Sequence, residues 1–279
     1  MERVKWTPGR FIHLAVLVLI SLWVLFPLVI MISTSLKTQK QNIVDITGII
    51  PQPITFDNYT AVLSNAQYPI GRWFLNSAVS VLGGTVLTLI CASLAAYGLS
   101  RLQWPGRDAV FYTILGSTLI PGVTFIIPMF GEFARAGLLD TYWPIILVYP
   151  AGAFGVFMLR QFYLSIPREL EEAAIIDGAG KFRRWAQIIL PMMRTPFLTL
   201  AVLSAVGIYN DFIWPLIAMQ SNDMYTITVG IAIATEGSLV NNYGPLMAFS
   251  TMAAIPTIIL FAILQRYFVA SATLSGVKG

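Results

Sequence analysis

Ser165–Pro191 reads SIPRELEEAAIIDGAGKFRRWAQIILP, a polar island between two apolar runs, Tyr142–Tyr163 and Pro196–Met219. The contrast decides the fold class. Of 279 residues, 57% are hydrophobic and 11% charged, whereas soluble domains carry roughly a quarter charged residues. So much apolar surface belongs in a bilayer. The formal charge of +4 does not mark a nucleic-acid binder. The basic residues do not cluster with aromatics; they sort by loop.

Six runs approach the roughly 20 residues needed to cross a bilayer: Phe11–Ser33, Phe74–Leu99, Ala109–Phe130, Tyr142–Tyr163, Pro196–Met219 and Leu246–Phe268. The expected fold is an all-α membrane protein of six transmembrane helices, a single transmembrane domain over 1–279. The first run is too long for a signal-peptide core and has no clear cleavage site, so it is read as a retained span. With six spans both termini share a side, and the connections on that side hold thirteen of the seventeen Lys and Arg residues. The positive-inside bias therefore places both termini and the Ser165–Pro191 island in the cytoplasm. Arg160, near the end of the fourth run, is expected to snorkel to the interface. Two long connections, Leu36–Arg72 and Gln220–Pro245, face outward; a partner contact and a solvated connector are equally compatible with their composition. Cys91 cannot form an intrachain disulfide and is expected to be buried. His13 has no second ligand nearby in sequence and is read as structural rather than metal-binding.

Within the island, Ser165-Ile166-Pro167 predicts a helix start, with Ser165 as cap and Pro167 in the first turn. Glu169, Glu171 and Glu172 fall at the positive end of the dipole. Arg168 is four residues before Glu172 and is placed to pair with it. Ile166, Leu170, Ala173 and Ala174 share a face, and Gly178, beside Asp177, suits a left-handed terminator. A second amphipathic helix should set Phe182, Trp185, Ala186 and Ile189 against Lys181, Arg183, Arg184 and Gln187, ending at Pro191. A short Ala-faced helix with an acidic flank suits a cleft lined by basic residues. An interfacial loop without a partner is the plainer alternative.

The spacing Glu172-Ala173-Ala174, Gly178, Ile188, Leu190-Pro191 resembles, at every position, the EAA motif of permeases in binding-protein-dependent ABC importers. Further segments resemble the carbohydrate-uptake branch, similar to the second permease subunit of the maltose transporter. They include Ser33-Thr34-Ser35-Leu36-Lys37, Asn76-Ser77, Gly137-Leu138-Leu139-Asp140-Thr141 and Asn210-Asp211-Phe212 with Trp214-Pro215. The resemblance covers nearly the whole chain. It implies a bacterial or archaeal cytoplasmic (inner) membrane location and a complex with a second permease, two ATP-binding cassette subunits and an extracytoplasmic solute-binding protein. It also implies a cytoplasmic coupling helix between spans 4 and 5, in a loop of about 165–191. The coupling residues it implies are Glu171, Glu172, Ala173, Ala174, Asp177, Gly178, Ile188, Leu190 and Pro191. The tail, about 269–279, would bring Gly276, Val277, Lys278 and Gly279 near the ATPase. The outer loop with Glu236, Gly237, Asn241 and Asn242 would approach the binding protein.

No catalytic set and no metal site are expected in the chain. Gly180-Lys181-Phe182 lacks the remaining elements of a phosphate loop, so ATP and Mg would be bound by partner subunits. Asp211 is the one acid well inside an expected span, where a charge must face a cavity or a partner. With Asn210 and Trp214 it is a candidate for the translocation pathway; an interhelical polar network is the alternative. The expected function is a sugar-importer permease. The alternatives are a permease for another solute such as glycerol phosphate, or a self-sufficient secondary transporter.

Overall fold

The computed structural model describes residues 8–45, 48–237, 239 and 242–275. Among them every regular element is helical. In order these are α1 (Pro8–Ser35), α2 (Gln39–Val44), α3 (Asp57–Leu63), α4 (Ile70–Ser100), α5 (Arg107–Ser117), α6 (Ile126–Arg135), α7 (Trp143–Val148), α8 (Ala153–Ser165), α9 (Glu169–Ile176), α10 (Lys181–Arg184), α11 (Leu190–Met192), α12 (Arg194–Asn210), α13 (Ile213–Ala218), α14 (Ile227–Glu236) and α15 (Tyr243–Ser275). Three stretches, Phe11–Ser35, Ile70–Ser100 and Tyr243–Ala262, are long and apolar enough to cross a membrane. Two bent pairs, Arg107–Ser117 with Gly122–Arg135 and Lys181–Met192 with Arg194–Asn210, raise that to five if each is one span. The chain is a multi-pass membrane protein.

The uninterrupted third run of the sequence is broken. α5 and the following segment meet at 95°, because Pro121 has no amide to continue the ladder; a 3-10 turn restarts at Gly122–Phe125. The fourth run divides likewise at Tyr149–Ala151, around Pro150. The fifth run parts at Asp211-Phe212, between α12 and α13.

Packing sorts the chain into two units, Met1–Tyr68 with Ile231–Ile255 and Pro69–Gly230 with Pro256–Gly279. In the first, α1 exposes Phe11 through Leu28 on every side, as an apolar-all-round bilayer helix should. Its last carbonyls need partners. Asn42 Nδ2 donates to Thr34 O at 3.3 Å, and Asn58 Nδ2 donates to Ser35 O at 2.8 Å. Lys37 is fully buried and its Nζ donates to Asp45 O at 2.8 Å. The Leu36–Arg72 connection is thus organised by α2 and α3 on the end of α1.

In the second unit α4 is inside-out. It buries Asn76, Ser77, Ser80, Thr88 and Ser93 and exposes Leu75, Leu82, Val86, Ile90 and Leu94. Lipid supplies no reason to hide leucine, whereas polar groups need partners. Asn76 Nδ2 donates to Asp223 O (2.8 Å) and Tyr225 O (2.9 Å), and its Oδ1 accepts from Tyr142. Ser77 Oγ accepts the Ile227 amide at 2.9 Å and so caps α14. Gln220–Pro245 is therefore no plain outer loop, for it holds an apolar helix. Cys91 lies on the exposed side of α4, against the expectation of burial; the inside-out pattern puts apolar residues there. Arg160, at the end of the fourth run, places its Nη2 3.7 Å from the exposed Asp108. Its guanidinium stacks 3.9 Å over the Phe111 ring and Nε donates to Leu99 O at 3.2 Å.

Candidate functional site

α9 is eight residues long, and only Glu171 and Ala174 along it are buried. Its first turn carries Glu169, Glu171 and Glu172, favoured by the dipole. Gly178 takes φ +78°. The Ala179 amide donates to Ala174 O at 2.8 Å and the Gly178 amide to Ile175 O at 2.9 Å, a Schellman stop that closes the helix as its glycine demands. Ser165 does not cap this helix. Its Oγ donates back to Phe162 O at 2.8 Å and finishes α8 instead, while Arg168 occupies the N-cap without a side-chain bond.

The expected face is rotated. Glu171, not Leu170 or Ala173, faces inward with Ala174 and Ile166. Glu171 Oε2 lies 3.4 Å from Arg101 Nη1, with side-chain exposures of 9% and 3%. Tyr97 Oη donates to Glu171 Oε1 at 3.0 Å, and Arg101 Nη2 donates to the carbonyls of Tyr163 and Ile166. An Arg168–Glu172 ion pair is not formed among the described residues; Arg101–Glu171 is. Glu171, expected among the coupling residues, is thus engaged within the chain. Glu172, Ala173, Asp177 and Gly178 are exposed, as are Leu170, Ile175 and Ile176, the last at 86%.

After Gly180 the chain re-enters a helix through α10, then widens into a π turn at Trp185–Ile189 before α11. Pro191 explains the widening. Its ring would collide with the carbonyl four residues back, and a π turn relieves the clash. Pro191 therefore sits inside the continuing helix, and the turn toward α12 comes at Met193, with an 83° bend. The register shift leaves Phe182 exposed and buries Ile189 completely, so the expected four-residue apolar face is split. Ile188 and Leu190 are half-buried and Pro191 is exposed. Trp185 Nε1 donates to Ser93 Oγ at 2.9 Å, and Ser93 Oγ is 2.7 Å from Tyr163 Oη.

Elsewhere in this unit an open cleft of about 390 Å³ is lined by Thr88, Tyr149, Ser204, Asn210 and Asp211 among others. Tyr149 Oη donates to Asp211 Oδ2, and Asn210 Nδ2 bonds its own helix at Val206 O, 3.0 Å away. Trp214 does not belong with them. It is 4% exposed, its indole N–H donates to Pro144 O at 3.1 Å, and its ring packs on Phe133. The break after α12 turns Trp214 away from the cleft. Glu236 ends α14, the Gly237 amide bonds Ile233 O, and the Asn242 amide bonds Leu239 O. Asn241 and the Gly276–Gly279 tail lie outside the described residues.

Two features escaped the sequence reading. Arg101 was assigned no partner, although Ser93, Tyr97 and Arg101 share one helical stripe and a charge at a span end needs an acid. Asp140, at φ +58°, accepts the Gln220 and Ser221 amides at 2.8 and 2.9 Å. Burial opposes its ionisation, but those hydrogen bonds prevail and hold its carboxyl below the usual aspartate range.

Comparison with known proteins adds independent findings. The family described as "Binding-protein-dependent transport system inner membrane component" matches residues 84–273. The arabinooligosaccharides transport system permease protein AraQ of Bacillus subtilis is 34% identical over 94% of this chain and 93% of its own. The lactose transport system permease protein LacG of Rhizobium radiobacter is 32% identical over 92% and 93%. A chain from the crystal structure of a bacterial ABC transporter importing the acidic polysaccharide alginate superposes with a TM-score of 0.83. It shares 22% identity and covers 95% of this chain and 100% of its own.

Proposed function

Since this chain belongs to the family of binding-protein-dependent transport system inner membrane components, a family of transport subunits rather than enzymes, we propose that it is a permease subunit of an ATP-driven sugar importer and that α9 is its coupling helix. The carrying observation is the exposed side of α9. Leu170, Ile175 and Ile176 stand bare beside Glu172 and Asp177 on a short helix outside the long apolar stretches. An apolar patch rimmed by acids suits a cleft with apolar walls and basic edges on an ATP-binding subunit. In this reading Glu172, Ala173, Ala174, Asp177 and Gly178 form or shape the docking surface. Ile188, Leu190 and Pro191 build the helix behind it.

The remaining assignments follow the same reading. Six spans with both termini in the cytoplasm are favoured by the charge bias. A second permease and two ATP-binding subunits complete the membrane complex, and ATP and Mg reside in the latter. An extracytoplasmic binding protein meets the segment around Glu236, Gly237 and Asn242. One solved alginate ABC transporter, with a TM-score of 0.64, is in complex with a pentasaccharide-bound periplasmic protein. Sugar as the solute rests on the names of the relatives, and the polar cleft at Asn210 and Asp211 is a candidate part of its path.

Glu172→Lys tests the docking surface. Glu172 is exposed, so the variant should reach the membrane at the normal level. Recovery of the ATP-binding subunit in pull-downs should fall at least about tenfold, a loss of about 1.4 kcal/mol. Undiminished recovery would remove Glu172 from the interface.

A further inference from the structure

We propose that Ser93, Tyr97 and Arg101 form a rigid joint through which the coupling segment moves α4 directly; this rests on the docking role of α9 given above. Ser93 and Tyr97 on α4 and Arg101, its C-cap in helical conformation, recur every fourth position and so face one way. Together they hold two points of the segment, Trp185 and Glu171. Ser93 Oγ receives the indole N–H of Trp185 at 2.9 Å, Tyr97 Oη donates to Glu171 at 3.0 Å, and Arg101 pairs with Glu171 at 3.4 Å. Arg101 also donates to the carbonyls of Tyr163 and Ile166 at the end of α8, where a cation is favoured. One guanidinium thus ties together the end of α4, the end of α8 and the first turn of α9.

The chemistry distinguishes a joint from a mere packing contact. α9 buries little apolar area, so apolar packing alone would let it slide or roll against α4. A planar guanidinium fork with three fixed acceptors admits one orientation. A buried ion pair adds little net stability over apolar residues of the same size; what it supplies here is direction. Motion imposed on α9 must then be delivered to α4, the helix whose buried polar side runs along the second unit toward Thr88 and the Asp211 cleft.

The test uses the full complex purified with its ATP-binding subunits and placed in liposomes. Spin labels are attached at the native Cys91 on α4 and at Glu169→Cys, an exposed position at the start of α9. In the otherwise unaltered protein, the Cys91–169 distance should remain single and unchanged between the nucleotide-free state and the state trapped with ATP and vanadate. With Arg101→Met and Glu171→Leu together, and more mildly with Tyr97→Phe, trapping should shift or spread that distance by up to about 5 Å, one helical turn. The ATP-binding subunits should still co-purify and hydrolyse ATP. A merely structural role would lower the melting temperature and leave the distance fixed on trapping; that result, with the ATP-binding subunits bound, overturns the joint alone. Failure of the unaltered chain to retain any ATP-binding subunit would overturn the docking role and the joint with it.

Discussion

Arg101→Ala is expected to destabilise the protein by about 3–5 kcal/mol, the usual consequence of stripping one partner from a buried ion pair. The methyl group leaves the Glu171 carboxylate, 9% exposed in its side chain, facing Tyr97 alone. It also leaves the Tyr163 and Ile166 carbonyls without the guanidinium donors. Denaturation in detergent micelles, compared with the unaltered chain, reads the loss directly. Removing Glu171 as well should restore part of it, because the single variant suffers chiefly from the charge left behind. A loss below about 1 kcal/mol would mean that water already reaches the pair and that it contributes as surface pairs do.

Gly230→Leu should prevent accumulation of folded protein. A Cβ at this position would lie 2.1 Å from Trp73 Cε3. Trp73 cannot swing aside, because it is fully buried and its indole N–H holds Asn222 O at 2.7 Å. Overpacking typically costs about 1–3 kcal/mol, and here it would also break a buried hydrogen bond. Yield and a single sharp peak in size-exclusion chromatography measure the outcome. Gly230→Ala should show a smaller defect, since only the Cβ contact must be relieved. A normal yield of monodisperse Gly230→Leu protein would contradict this account of the Trp73 contact.

The sequence exposed the membrane class plainly, because apolar runs are compositional and do not depend on partners. The left-handed stop at Gly178 was also legible, since a local backbone requirement selects the residue. What sequence reading missed depends on contacts distant in the chain. Glu171 and Glu172 are chemically identical neighbours, and only Arg101 and Tyr97, about seventy residues away, decide which one turns inward. The face assigned to Phe182, Trp185 and Ile189 assumed α-helical spacing; the π turn demanded by Pro191 broke the register. Trp214 looked like a neighbour of Asp211 under the same assumption, and the break after Asn210 parted them. The helix α14 hid within a segment judged by its polar flanks rather than by Ile227–Ala234.

The bare side of α9 is expected to seat in an ATP-binding subunit. Cys91→Ala leaves a chain free of thiols, and Ala173→Cys then places one on the exposed side of α9. Once labelled there with a maleimide that carries a benzophenone, the assembled complex should yield on illumination a covalent adduct of this chain with its ATP-binding subunit, the ketone inserting into a neighbouring C–H bond. In intact cells, the same cysteine should resist a maleimide that cannot enter. A complex that retains its ATP-binding subunit yet gives no adduct from Ala173→Cys, or a cysteine labelled readily from outside, would contradict the assignment of α9 as the coupling helix.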